Sequence, residues 1–387
     1  MPIDAVALSQ ALIRCPSVTP EDAGALAVLE AALKPLGFAC KRLRFEEAGT
    51  AAVENLYARI GSGAPHFCFA GHTDVVPAGD DTQWKHDPFG AEIADGMLYG
   101  RGASDMKSAI AAFASAAERH LAKGTLNGSI SFLITGDEEG ISINGTKKML
   151  AWLSGNNEPI DHCIVGEPTS AVTSGDTLKI GRRGSINFRV AVRGVQGHVG
   201  YPQRALNPIP ILAVFINRVS GEPLDNGTPH FEPSTLSFTS IDVGNDATNV
   251  IPAEATARFN IRFNDLHTPD TLKHRIETVA KDVAHEMGGE ISITSQTSGV
   301  AFLTQPGPFT ELVSQAVTNI TGKAPEFSTG GGTSDARFIK EHCPVVELGL
   351  SGSTMHKVDE CVPVSEIQRL TDIYQAVLDA YFANPPK

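Results

Sequence analysis

Residues 129–140 read Ser-Ile-Ser-Phe-Leu-Ile-Thr-Gly-Asp-Glu-Glu-Gly, an apolar run that ends in three consecutive acids, Asp137, Glu138 and Glu139. A short apolar run closed by a Gly-acid turn predicts a buried strand. Adjacent strand residues point to opposite sides, so Glu138 and Glu139 can do different jobs, one holding a metal ion and the other handling a proton. In open α/β sheets ligands bind beyond the carboxyl ends of the strands, which is where these acids stand. A solvated acidic turn is the plainer alternative.

Working outward, residues 66–70, 162–165 and 345–348 form further apolar strand patterns. Helical spacing recurs at residues 23–36, 106–121, 309–320 and 366–382. Strands separated by helices predict an α/β fold of three layers with a mainly parallel central sheet. The pattern changes after Gly181. Residues 186–192 (INFRVAV), 235–243 and 255–263 (ATARFNIRF) alternate with period two, helices are expected at 207–219 and 271–287, and a strand at 290–294. That order, β-α-β-β-α-β, is ferredoxin-like and the size of a small domain. The expected division is therefore a first domain made of residues 1–181 and 296–387, interrupted by an inserted domain at 182–295.

Composition narrows the function. The 387 residues carry 31 Lys and Arg against 44 Asp and Glu, a formal charge of −13. Phosphate contacts dominate nucleic-acid affinity, so a chain this acidic is not expected to bind nucleic acid. Its longest apolar stretches, such as 209–216, fall far short of the ~20 residues that span a bilayer, and no membrane association is expected. The first residues lack a basic leader pattern. Six scattered cysteines with no C-x-x-C pair read as reduced thiols of a cytoplasmic protein, and cysteine-held structural zinc is not expected.

Four other places carry chemistry. His72-Thr73-Asp74 ends the apolar run before it, and positions i and i+2 share a face, so Asp74 can brace the His72 imidazole. Asp105 stands where the Gly-rich loop Gly100-Arg-Gly-Ala-Ser-Asp105 enters a helix, suited either to capping that helix or to bridging two cations. Glu167, in Gly-Glu-Pro, and His356, in Met-His-Lys-Val-Asp-Glu, follow further strands. Imidazole and carboxylate are ligands of zinc, cobalt and manganese, and two His with three carboxylates suit two divalent ions. A leftover Glu is the expected general base for the attacking water. Arg182, Arg183 and Arg262 suit bidentate contact with carboxylates of a small acidic substrate, and the turn at residues 330–335 offers backbone N–H groups to the same end.

The strings GHTDVVP (71–77), GRGASDMKS (100–108), TGDEEG (135–140), GEPT (166–169) and HKVD (356–359) resemble, in order and spacing, the di-zinc M20 family of peptidases and deacylases. The resemblance covers nearly the whole chain. It implies that His72 and Glu167 hold one ion, that Glu139 and His356 hold the other, and that Asp105 bridges them. It also implies Glu138 as the base, Asp74 as the group orienting His72, and a cis peptide between Asp105 and Met106. The inserted domain becomes a lid and dimerisation domain, with His198 reaching into the partner's active site to polarise the scissile carbonyl. Without the resemblance, His198 reads as a loop histidine in a Gly-flanked turn. GRRGS (181–185), GHVGYP (197–202) and GGTSDARF (331–338) narrow the likeness to members that hydrolyse N-succinyl-LL-2,6-diaminopimelate to succinate and LL-diaminopimelate, a step in lysine and peptidoglycan-precursor synthesis. Arg182, Ser185, Asn249, Arg262, Gly332 and Thr333 are then the expected substrate contacts. Competing readings are an N-acetylornithine deacetylase or other deacylase of the family, and a non-catalytic metal-binding homologue. A phosphate cradle at Gly330 is weaker, because G-x-x-x-x-G-K-[ST] is lacking there.

Overall fold

The computed structural model describes residues 2–386. They form two compact units. The first comprises the chain up to Ile180, Thr304–Ser328 and the chain from Ser334 onward; the second comprises Gly181–Leu303 and Thr329–Thr333.

An eight-stranded sheet organises the first unit, in the order Ala39–Phe45, Val53–Gly61, Ser129–Thr135, His66–His72, His162–Val165, Val345–Glu347, Thr177–Lys179, Glu326–Ser328. The four strands from Ser129–Thr135 to Val345–Glu347 run parallel. On one edge, Ala39–Phe45 and Val53–Gly61 join antiparallel. The apolar pattern singles out neither of these, because Lys41, Arg42 and Arg44 interrupt the first and only Leu43 of its residues is buried.

Period-two alternation sorts the strand side chains into two faces. Phe67, Phe69 and Phe132 meet Phe113 of the helix Lys107–Leu121, and Phe67 and Phe69 also meet Tyr381 and Tyr374 of the helix Val364–Ala383. On the other face, Tyr57 packs its ring against Trp152 of the helix Thr146–Gly155. The result is helix, sheet, helix. Lys107–Leu121 buries six alanines from Ala109 to Ala117, so small side chains let it lie deep against its neighbours. Gly71, near the end of its strand, and Gly166, just past the next one, are needed for close approach: a Cβ on either would run into the Met106 side chain. The six cysteines are free. Among the described residues no helix is long and apolar enough to cross a membrane.

The second unit holds an antiparallel sheet in the order Thr235–Asp242, Glu254–Phe263, Gly184–Arg193, Glu290–Gly299. With the helices Pro208–Ser220 and Pro269–Met287 this is the ferredoxin-like arrangement. Asn207 and Thr268 cap those helices through their side chains, and Pro at the first helical position supplies the right φ. Ile186, Phe188, Val190, Phe259 and Ile261 join Ile211, Phe215, Leu272 and Ile276 in one apolar core. Residues on the opposite phase, Asn187, Arg189, Arg258, Asn260 and Arg262, make a polar face.

This unit extends beyond the expected end at residue 295. The last strand continues to Gly299 through a polar run, Gln296 to Ser298, that carries no apolar signal. Phe302–Leu303 then pair with Gly181–Arg182. The short piece Thr329–Thr333 also belongs here: Thr329 Oγ1 donates to the His230 carbonyl, and Arg182 Nη1 donates to the Gly332 carbonyl at 2.9 Å.

Candidate metal centre and active site

The parallel strands deliver their ends to one place. His72 is the last residue of His66–His72, and Glu167 lies two residues past His162–Val165, the strand beside it. The turn after Ser129–Thr135 carries Asp137, Glu138 and Glu139. Asp137 Oδ2 closes this turn by accepting from the amides of Ile143 (2.8 Å) and Asn144 (2.9 Å). Asp105 precedes the helix Lys107–Leu121 but does not cap it; the cap position is Met106, and the Asp105–Met106 peptide is cis. The Asp105 carboxylate is thereby left to face two histidines.

His72 Nε2 lies 3.1 Å from Asp105 Oδ1 and 3.6 Å from Glu167 Oε1. His356 Nε2 lies 2.9 Å from Glu139 Oε1 and 3.4 Å from Asp105 Oδ2. Two ligand groups result, His72–Asp105–Glu167 and Asp105–Glu139–His356, each with its donor atoms within 4.8 Å of one another. The two oxygens of Asp105 divide between them. This donor set fits two divalent cations of the zinc, cobalt or manganese type.

Electrostatics agree with that fit. Burial works against a charged His72, yet the hydrogen bond and charge of Asp105 hold its pKa well above the ordinary value. Hydrogen bonds to Asp105 and Glu139 push His356 up to about 10. Burial opposes ionisation of Asp105, but both histidines outweigh it and hold its carboxyl well below the ordinary range. The cluster is short of positive charge and takes up protons on its imidazoles; cations meet the same demand.

Glu138 belongs to neither group. Burial, then the neighbouring Glu167 charge, pushes its carboxyl well above the ordinary value. A carboxyl group that stands outside both ligand sets and is raised in this way is the one left to take up a proton.

Asp74 acts differently from the simplest expectation. His72 Nδ1 donates to the Asp74 backbone carbonyl at 2.9 Å, while the Asp74 carboxylate is 3.7 Å away. That carboxylate instead accepts from the amides of Glu138 (3.3 Å) and Glu139 (3.0 Å). Asp74 thus orients the ring with its main chain and the acidic turn with its side chain. Burial raises its pKa to about 6.

The other expected site residues lie in the second unit, where they form three local pairs. Val199 donates its amide to the Asn249 carbonyl at 3.1 Å, which sets Asn249 beside His198, itself opposite Val250. Ser185 is directly opposite Arg262 in the sheet. Arg182 holds Gly332, next to Thr333. His198 is exposed, and its Nδ1 accepts from the Gly200 amide at 3.0 Å. Burial, then the charge of Arg183, lowers the pKa of the half-buried Arg262.

Two residues of the first unit escaped the sequence reading. Glu360 is buried and accepts from the amide of Asp105 at 3.1 Å, and Arg101 pairs with it at 2.7 Å. Both sit inside quoted motifs, but nothing in their local pattern marks them as partners.

Residues 68–380 match the family described as peptidase family M20/M25/M40. Two curated relatives, from Rhodospirillum centenum and Parvibaculum lavamentivorans, are each named succinyl-diaminopimelate desuccinylase and are each 58% identical to this chain. The first alignment covers 98% of both chains; the second covers 99% of this chain and 96% of the relative. Among solved structures, aminopeptidase PepT from Bacillus cereus superposes with a TM-score of 0.79 at 20% identity, covering 98% of each chain. With its fold, its ligand set and its sequence in agreement, the chain belongs to peptidase family M20/M25/M40.

Proposed function

We propose that this chain is a metal-dependent amide hydrolase that cleaves N-succinyl-LL-2,6-diaminopimelate to succinate and LL-diaminopimelate, serving lysine and peptidoglycan-precursor synthesis. The carrying observation is one carboxylate, Asp105, shared by two ligand groups, with the half-buried Glu138 outside both. The substrate follows from the desuccinylases that share 58% of its residues over nearly the full length.

His72, Asp105 and Glu167 hold one divalent ion; Asp105, Glu139 and His356 hold the other. Zinc is the first choice, with cobalt or manganese as substitutes. Bound there, such ions acidify water and polarise a carbonyl. Glu138 accepts the proton of the attacking water as the C–O bond forms and the carbonyl oxygen gains charge, and it then delivers that proton to the leaving amine as the carbonyl re-forms and the amide C–N bond breaks. His72, buried and held by the Asp74 carbonyl, keeps its Nε2 aimed at the ion site. His198 donates a hydrogen bond to the developing oxyanion, reaching there from the partner subunit of a homodimer formed through the second unit. Arg182, Ser185, Asn249, Arg262, Gly332 and Thr333 hold the substrate's carboxylates. Six free thiols agree with work in the cytoplasm.

The test compares turnover of N-succinyl-LL-diaminopimelate with that of N-acetylornithine, with and without a chelator. The succinyl substrate is expected to be strongly preferred, and activity to vanish on chelation and return with zinc. Preference for the acetyl substrate makes the chain a deacetylase of the same family. Turnover that survives complete metal removal ends the reading.

A further inference from the structure

Glu360 belongs to neither ligand group, yet it is completely buried and fully engaged. Its Oε1 accepts from the amides of Ser104 (2.8 Å) and Asp105 (3.1 Å). Its Oε2 accepts from Arg101 Nη1 at 2.7 Å, and the same nitrogen donates to the Lys357 carbonyl at 3.2 Å. Gly100 adds a main-chain bond, its amide donating to the Glu360 carbonyl at 2.9 Å. One carboxylate and one guanidinium thus stitch together two loops that lie 256 positions apart in the chain. The first loop carries Asp105 and the second carries His356.

The two ligand groups differ in what else supports them. His72 and Glu167 follow neighbouring strands, and the ladder that pairs Ala70 with Val165 fixes their separation. Glu139 is tied by its amide to Asp74. His356 lies nine residues past the end of Val345–Glu347, on a loop, with its side chain nearly half exposed and φ at +62°. Its loop is closed by Thr354 Oγ1, which donates to the Cys361 carbonyl at 2.7 Å, and is anchored by Asp359 Oδ1, which accepts from the Lys85 amide at 2.8 Å. Ser104 Oγ also donates to the Ser351 carbonyl at 2.7 Å, and Cys361–Pro363 pair with Met97–Tyr99 just beyond, but the Glu360 carboxylate is the group that accepts from the amide of Asp105 itself.

We propose that Glu360, with Arg101, is a positioning pair that sets the aim of Asp105 relative to His356 and thereby the affinity of the Asp105–Glu139–His356 site for its ion. The inference rests on the two-ion reading above. A ligand set works only when held to within about 0.5 Å. Here the hold on the second site runs through a buried, charge-assisted network at the end of a short strand pair, away from the central sheet. A Gln in place of Glu360 keeps the shape but turns an NH2 group toward donors, so at least one N–H loses its acceptor. The freed loop lets His356 drift from Asp105, which stays against His72 at 3.1 Å, while His72 and Glu167 stay at the ends of their strands.

The experiment titrates metal-stripped wild-type chain and Glu360→Gln with Co2+, read by calorimetry and by visible absorption. Wild type is expected to take up two ions. Glu360→Gln should keep its first affinity and lose roughly 10–100-fold in the second, the usual cost of removing a partner behind a metal ligand. Raising Co2+ should restore turnover of the variant with little change in KM, a rescue that a general loss of fold does not give. Equal second affinities in the two chains overturn the proposal, and so does an equal loss at both sites. A wild-type chain that binds fewer than two ions removes the two-ion reading itself, and the inference with it. If Glu360→Gln does not fold, Arg101→Lys takes its place under the same criteria, since Lys keeps a charge for Glu360 but gives up the second contact to Lys357. Failure of both chains to fold means the pair is structural, which also overturns the proposal.

Discussion

The two units place polar chemistry in opposite settings. In the first, His72 and Glu167 are buried at the ends of neighbouring parallel strands, whose pairing sets their separation, and Asp105 is buried just before a helix. In the second, His198 and Asn249 are exposed, and the polar groups occur in local pairs set by short ladders. Concentrated buried charge creates a demand for compensating cations, whereas dispersed hydrogen-bonding groups create none. The contrast teaches that metal content should answer to the first unit alone. Substitutions in the second should change rate or substrate affinity and leave the ions in place.

The severest challenge to that contrast is Asp105→Ala. Losing the residue shared by both ligand groups should take metal content from two ions toward none. Turnover should fall by more than the roughly 10²–10⁴-fold that removal of a general base costs. Elemental analysis beside a hydrolysis assay checks it; two retained ions would deny the bridge.

Glu138→Gln sharpens the contrast within the first unit. Since Glu138 stands outside both ligand groups, the ions should remain while turnover drops roughly 10²–10⁴-fold. Near-normal turnover would put the base elsewhere.

His198→Ala probes the second unit. Metal content should be unchanged and turnover should fall roughly 10²–10³-fold, as for loss of an oxyanion donor. If His198 acts in trans, mixing the His198→Ala chain with the Glu138→Gln chain should restore activity, because one site of each hybrid dimer is whole. A mixture that stays inactive after subunit exchange, shown by mass, sinks the trans role.

The smallest effect concerns stability. Burial disfavours the Asp225 carboxylate, but bonds from Ser234, Gly227 and Asn264 outweigh it and hold the pKa at about 2 instead of 3.8. A lowered folded-state pKa means stability that is present above the ordinary value and lost as pH falls through the folded one. Asp225→Asn should therefore lower the unfolding midpoint of the second unit at pH 7, with the gap to wild type closing between pH 3.8 and about 2. A gap independent of pH would mean that the carboxylate's charge does not matter.

Much of this was legible because buried parallel strands announce themselves. His66–His72, Ser129–Thr135 and His162–Val165 are apolar runs, and each delivers a ligand or base at or just past its last residue. The period-two strands and capped helices of the second unit were equally plain. His356 was less plain: it sits on a loop 217 positions from Glu139, and it counted as a ligand only in sum with the other His and the acids, or through the motif resemblance. The strand Ala39–Phe45 escaped because an edge strand facing solvent needs no apolar run. The end of the second unit was misplaced because the strand past Thr294 is polar.

The sequence by itself determined the elements, their order and the acids at the strand ends, since side-chain periodicity and turn chemistry are local properties. Only the tertiary structure decided which carboxylate oxygen meets which imidazole. It also decided that the Asp74 side chain serves the acidic turn, that Thr329–Thr333 belongs to the second unit, and that Glu360 links two ligand loops. The physical reason is that such convergence depends on strand order and loop closure between residues far apart in the chain, and no local pattern encodes either.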